Sequence, residues 1–475
     1  MKRFITLLLA IVLTLSLCAC GASTNTDGAN SGAASKGLKV GYSKVNLTPS
    51  YSVSLGGYGD EDTRRSEGFV TYIFMTCIAV SSGSDTFLLY TFDGLNAPKS
   101  IQDKMRASIL NVVSIPTDHI FIGATHSHSA PVLNKTFPGN DQYYDDFFAN
   151  AAKAAQEAIA DQSPATMLAG TTDIKDENGK YMNFVRHFKL EDGTHAGSGF
   201  GDNTKEAVGY SAENDPQMVL VKFDITDKSK KDILMVNWQA HPDNGSELGR
   251  TLLAASWVGP LRDELETLSG MRVAYFTGAS GNQNMSSRIQ KDTHNLDWKT
   301  YGQKVAQIAN NALVQLKPVE GTELKQTKRD VLLDIDHSWD HMLEQANEVY
   351  DLWKSAGKTA GDNLGKQYGF TSSYQANAIR NRANKPATET LETRVFKIGS
   401  VGFTTGTYEM FSTQGLYVKR NSPFEITFII AGNFTYLPDR PAYEYRSYEA
   451  DTGYYAPGSA EKLAENYVEM LKEIK

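Results

Sequence analysis

Cysteine is scarce: three residues in 475 cannot build a disulfide framework. Proline (15) and glycine (39) are also few, which excludes collagenous and low-complexity chains. Positive charge is not in excess. Lys and Arg total 47 against 55 Asp and Glu, a formal charge of −8, so general nucleic-acid binding has no electrostatic support. Internal repeats are absent, and no Gly/Ser/Pro-rich linker follows residue 36. Hydrophobic residues make up 41% and charged residues 21%, close to globular averages.

The most apolar stretch, Phe4 to Leu17, follows Lys2 and Arg3 and is short for a membrane span. Its length suits the core of a secretory leader. It ends in Leu17-Cys18-Ala19-Cys20-Gly21, which resembles a bacterial lipobox with Cys20 as the lipidated residue; Leu17 fits poorly before Cys18. Gly21 to Lys36 has no large apolar side chain and reads as a flexible tether. The expected organisation is a leader at 1–19, a tether at 20–36 and a body at 37–475, anchored to the outer side of a bacterial cell membrane. Cys77, inside TYIFMTCIAV, reads as a buried and inert core residue.

Apolar and β-branched runs at Val70–Val80 and Thr86–Phe92 read as a hairpin. Strands are also expected at His119–Ala124, Met218–Phe223, Ile233–Trp238, Val273–Phe276, Arg394–Ile398 and Glu425–Ile430. Helices are expected at Lys99–Val113, Tyr144–Asp161, Pro260–Leu268, Trp298–Leu316, Trp339–Trp353 and from Ala460 onward. This is an α/β pattern: a single large domain with a mixed β-sheet and flanking helices.

Among nine histidines, His126 and His128 form His-x-His directly after the strand ending in Gly123-Ala124. Alternate residues of an extended segment share a face, so both rings can enter one cleft. His241, in Trp238-Gln239-Ala240-His241-Pro242, also ends an apolar strand. Imidazole suits zinc, and strand ends of α/β folds share a rim where sites lie. Asp93 ends another strand; its sequence position fits either an orienting partner of a histidine or a turn residue. His337 and His341 have helical spacing but lack the glutamate of a metalloprotease helix and read as solvated. His119, His195 and His294 read as surface residues.

GATHSHSAP, WQAHP, GASGNQN and TYEMF…TYLPDRPAYEYRSYEA resemble, in the same order, segments of the neutral/alkaline ceramidases. These are zinc amidohydrolases that cleave the N-acyl bond of ceramide. The resemblance runs from about residue 38 to about 475. It implies the fold of that catalytic domain, without the immunoglobulin-like domain that usually follows it. It further implies one zinc ion held by His126, His241, Glu409 and Tyr436. His128 is implied as a general acid/base or oxyanion donor, Tyr448 as an oxyanion donor, and Arg186 as a residue facing the substrate. The family's active-site Ser falls on Asn284, which has no nucleophilic oxygen: either metal-activated water attacks while Asn284 orients the substrate, which is the expected mechanism, or the substrate differs, or activity is lost. The substrate implied is ceramide or a related N-acyl lipid. The resemblance leaves two rivals open: a zinc hydrolase of another amide or ester, such as a cell-wall or glycan derivative, and a binding lipoprotein that uses the same pocket. No protein partner is expected.

Overall fold

Most strands of the body are apolar on both faces, and the fold supplies a partner for each face. The strand Leu38–Asn46 sends Leu38, Val40 and Tyr42 into one core and Val45 into another. Gly41 lies between them on the second face, where an added Cβ would meet the Ala158 carbonyl of a covering helix. Phe74–Ser82, Asp85–Phe92 and Ile120–Ala124 divide their side chains in the same way. The computed structural model describes residues 37–243, 250–292 and 296–475; Cys20, its leader and tether, and His294 lie outside them. Contacts group Lys36–Lys475 as one unit.

The larger sheet has nine strands. Its main order is Arg272–Thr277, Ile233–Trp238, Gln217–Ile225, Ser163–Asp173, Leu38–Asn46, Phe74–Ser82, Asp85–Phe92 and Ile120–Ala124. The first and last pairs in that order are parallel and the others antiparallel. The sheet curls until its two ends approach. Thr91 Oγ1 donates to the Tyr275 carbonyl at 2.7 Å, and Thr277 Oγ1 to the Thr125 carbonyl at 3.0 Å.

A second sheet, ordered Leu324–Asp334, Thr388–Ile398, Val401–Gly406 and Ile426–Ala431, shares an apolar core with the first. Phe396 stacks on Phe121 (3.9 Å between centroids) and on Phe403 (4.4 Å). Helices Lys99–Leu110, Asn140–Ala160, Val258–Ser269 and Trp298–Ala312 cover the other face of the large sheet. The C-terminal helix Ser459–Ile474 packs on the second sheet's other face.

The mixed α/β architecture agrees with the sequence-based expectation, and so does the antiparallel hairpin. The mixed sheet is accompanied by the four-stranded sheet and by smaller ones of two or three strands. The strand expected from Val70 begins at Phe74. The helix expected from Trp339 begins with a 3-10 turn at Asp340–Met342 and continues as Leu343–Ala356. Two further helices, Lys358–Gln367 and Ser373–Ala383, carry no strong apolar stripe and had no sequence expectation. Among the described residues, no helix is long and apolar enough to cross a membrane.

Candidate metal centre

Four parallel strands bring their C-terminal ends to one rim. Ile120–Ala124 leads to His126 and His128, and Ile233–Trp238 to His241. In the second sheet, Val401–Gly406 leads to Glu409 and Ile426–Ala431 to Tyr436. Asn237 ties the two sheets: its side chain donates to the Ile429 carbonyl at 2.6 Å and accepts from the Ile429 amide at 3.0 Å. Asn433 adds a bond to the Ala124 carbonyl at 3.0 Å. Glu409 and Tyr436 are then set side by side by a short parallel pairing of their own backbones.

His126 has φ 65°, a left-handed conformation that non-glycine residues seldom adopt and that costs about 1–3 kcal/mol. The turn aims its ring back across the rim. The Nε2 atoms of His126, His128 and His241 form a triangle with edges of 3.0, 3.2 and 3.2 Å. His126 Nδ1 lies 2.6 Å from the Leu95 carbonyl and His241 Nδ1 lies 3.3 Å from the Ser280 carbonyl. A carbonyl only accepts, so each Nδ1 carries the hydrogen and each Nε2 presents a lone pair. Burial, followed by the neighbouring histidines and Arg186, holds both rings far below their ordinary pKa, so they are neutral. Bare lone pairs at this distance repel unless a cation lies among them. Tetrahedral zinc with bonds of about 2.0–2.1 Å would space its nitrogen ligands by about 3.3–3.4 Å.

Glu409 completes the donor set. Its Oε2 lies 3.5 Å from His126 Nε2 and is buried with no hydrogen-bond partner. Burial, then the charge of Glu449, raises its pKa well above the ordinary carboxylate value, against the pull of Arg186. A buried carboxylate oxygen without a donor is costly, and a metal ion removes that cost. The residues present therefore fit a metal: three imidazole nitrogens and one carboxylate, soft enough for zinc and neutral enough to bind it. Tyr436 Oη is held by Arg186 Nη2 at 3.2 Å.

His128, implied by the resemblance as an acid/base, stands inside the imidazole cluster rather than beside it. Its Nδ1 is 3.7 Å from Asp243, which Tyr58 bonds through its hydroxyl. Tyr448 lines the same cavity, of about 780 Å³, together with the three histidines, Glu409 and Tyr436. Arg186 also lines it. Asn284 does not: its short strand pairs with Phe184–Val185 and it faces a separate, smaller cavity. Ser287, the nearby hydroxyl, is bonded to Tyr210 Oη at 2.7 Å.

Asp93 touches no histidine. It forms a buried two-armed pair with Arg262 (2.9 and 2.6 Å) and accepts from Thr125 Oγ1 at 3.1 Å, one residue before His126. His337 and His341 do not converge; His337 pairs with Asp340 at 2.7 Å and His341 stacks on Trp339. His119 binds the Thr86 carbonyl, and His195 stacks on Tyr445 rather than lying free in solvent. Cys77 is fully buried, and burial raises its pKa to about 12, as an inert core thiol requires.

Sequence reasoning missed a buried network behind Arg186. Arg186 Nε donates to Glu449 Oε1 at 2.7 Å, His187 Nε2 lies 2.8 Å from Glu449 Oε2, and His187 Nδ1 lies 2.9 Å from Tyr445 Oη. The only available signal was the adjacency of Glu449 to Tyr448 and of His187 to Arg186. Ser447, capping the short helix Tyr448–Thr452, turns Tyr448 to the cavity and Glu449 to the arginine.

No protein-family model and no curated protein matches this chain. Solved structures do, among them two ceramidases. One is neutral ceramidase from Pseudomonas aeruginosa, with a TM-score of 0.69 and 14% identity over 93% of this chain and 75% of that one. The other is a ceramidase complexed with C2, with a TM-score of 0.67 and 14% identity over 92% of this chain and 76% of that one. The chain therefore has the fold of the neutral ceramidases, and at the rim of that fold it carries a buried three-histidine centre suited to a metal ion.

Proposed function

We propose that this chain is a zinc-dependent amidohydrolase that cleaves an N-acyl amide, ceramide or a related lipid, outside the cytoplasm while Cys20 holds it to a membrane. The observation that carries the chemistry is the triangle of neutral imidazoles whose three Nε2 atoms lie within 3.2 Å of one another beside the unpartnered Glu409 carboxylate oxygen. The ceramidase fold supports the choice of an amide bond.

His126, His241, His128 and Glu409 would hold the ion, with Tyr436 adjoining. Zinc, when bound, polarises a carbonyl and makes a nucleophile available at neutral pH. The chain's own groups do the rest. Arg186 fixes the Tyr436 phenol, and Tyr448 presents its phenol to the cavity that receives the substrate. Burial, then Tyr374, raises the Tyr448 pKa, so this phenol keeps its hydrogen and can donate it to a developing oxyanion. Phe370 and Tyr374, from the segment 343–383, line the same cavity, where Tyr374 Oη donates to the Tyr58 carbonyl at 2.8 Å. With Asn284 and Ser287 both turned away from the histidines, no serine nucleophile is proposed, and enzyme quenched during turnover should show no acyl adduct by mass spectrometry.

The test uses the full chain extracted in detergent. Elemental analysis should find one zinc per chain, and chelation should abolish hydrolysis of a short-chain fluorescent ceramide until zinc is returned. Turnover that survives complete metal removal would defeat the reading. The anchor is tested separately: Cys20→Ser should move the chain from the membrane to the soluble fraction.

A further inference from the structure

A second cavity, of about 380 Å³, opens beside the metal-centre cavity. Their linings share Arg186, Ser198, Gly199 and Asn203, so the two cavities adjoin as a larger and a smaller arm on either side of these residues. Their chemistry differs. The larger arm carries Glu61, Asp243, Asp362, Lys358 and Lys366 in a mixture of signs. The smaller arm has no carboxylate in its lining and only one large apolar side chain, Phe188.

Two arginines face this smaller arm. Arg186 is neutralised by Glu449 at 2.6 Å. Arg288 has no such partner among the described residues. Its guanidinium lies over the Phe188 ring and donates to the Asn203 side chain and to the Asn203 and Lys205 carbonyls, all neutral acceptors. Of the nearby acids, Asp192 and Asp202 are engaged by Lys205, and Asp292 accepts from Tyr210 Oη, which also bonds Ser287 of the lining. Among the described residues no carboxylate offsets the Arg288 guanidinium, which those bonds and the Phe188 ring orient at the cavity edge. Beside it, Asn284 has a buried side-chain oxygen with no hydrogen-bond partner. Ser286 adds an exposed hydroxyl to the same lining. A planar guanidinium and a hydroxyl, with no acid in the lining, make a receptor for a multi-oxygen anion, and the Asn284 oxygen is left to accept from an N–H or O–H of the same molecule.

We propose that this smaller cavity is the second arm of the substrate groove and takes an anionic substituent (phosphate, sulfate or carboxylate) carried by the amide being cleaved. The proposal rests on the amidohydrolase reading for its reaction, but not for the binding site itself. It also gives Asn284 a role: the GASGNQN loop holds His241 through Ser280, and its last residue, with Arg288, serves the far end of the substrate. The substrate class is an N-acyl amide with one polar, negatively charged half.

Three short-chain amides test this with the full chain: a neutral parent, the same compound with phosphate on its amine half, and the same compound with a carboxylate ending its acyl half. One anionic form should exceed the parent in kcat/KM by about tenfold or more, and which one does so identifies the half that enters the arm. Arg288→Gln should remove that advantage and leave the neutral parent within about twofold of wild type, while Arg288→Lys should keep part of it. Equal rates on all three amides, or an equal slowing of all three by Arg288→Gln, would overturn the proposal. Calorimetric titration with inorganic phosphate gives a readout free of turnover. Saturable binding lost in Arg288→Gln supports the anion site even if no amide is cleaved, in which case the hydrolase reading alone falls. Absence of both binding and preference sinks the site.

Discussion

The histidine rings carry the most information per atom. The tautomers of His126 and His241 are set by backbone carbonyls, so their Nε2 lone pairs are committed before any ion arrives. His241→Ala should therefore lose activity and hold zinc about tenfold or more weakly, because one of the three lone pairs that meet at the centre is gone. Undiminished zinc affinity in that variant, by titration against a chelating dye, would refute the centre. His128 distinguishes two arrangements. If its Nε2 is a ligand, as its 3.2 Å distances to both neighbours indicate, His128→Ala should weaken zinc affinity tenfold or more in a competition titration with a chelating dye. Full zinc occupancy with depressed kcat would instead return His128 to an acid/base role. The His-x-His pattern was legible because both residues follow a plainly apolar strand. The left-handed turn at His126 was not, since no residue type marks it.

Strands explain why the rest of the site was partly visible. Apolar runs such as Ile233–Trp238 and Ile426–Ala431 are buried on both faces, and that is the strongest signal a strand can give. Leu324–Asp334 reads LKQTKRDVLLD; it is a half-exposed edge strand, and its charges hide it from any apolar count. Ser163–Asp173 hides behind Pro164 and its threonines in the same way. Asp93 shows how a strand end and a helix are joined. Its pair with Arg262 fastens the strand Asp85–Phe92 to the helix Val258–Ser269 beneath the histidine loop. The sequence offered no hint of that partner, 169 residues away. Asp93→Ala would leave Arg262 buried and uncompensated, at a cost of about 3–5 kcal/mol. Urea unfolding should show it; a loss below about 1 kcal/mol would mean that water or another acid reaches Arg262.

Across the whole molecule, the C-terminal segment is tied to the centre through one carboxylate. Burial raises the Glu449 pKa, but His187 and Arg186 outweigh it and hold the group at about 2. A carboxylate with a depressed folded-state pKa stabilises the protein above its unfolded value of about 4.5 and loses that contribution as pH falls towards 2. The amount is about 3 kcal/mol. Glu449→Gln should lower stability at pH 7 and flatten its decline over that acid window, measured by denaturant titration at a series of pH values. An unchanged acid limb would show that the pair adds nothing. The donors of the metal centre lie at 126, 128, 241 and 409, and they meet only because the large sheet curls end to end and the second sheet closes beside it. During synthesis, then, the ribosome must deliver nearly the entire body before the last ligand can join. Early fragments would offer two or three imidazoles on unfinished edges, where a stray ion could trap a wrong pairing. Such long-range closure is slow by nature, and metal loading would be among the final events of maturation, a quality check performed by the geometry itself.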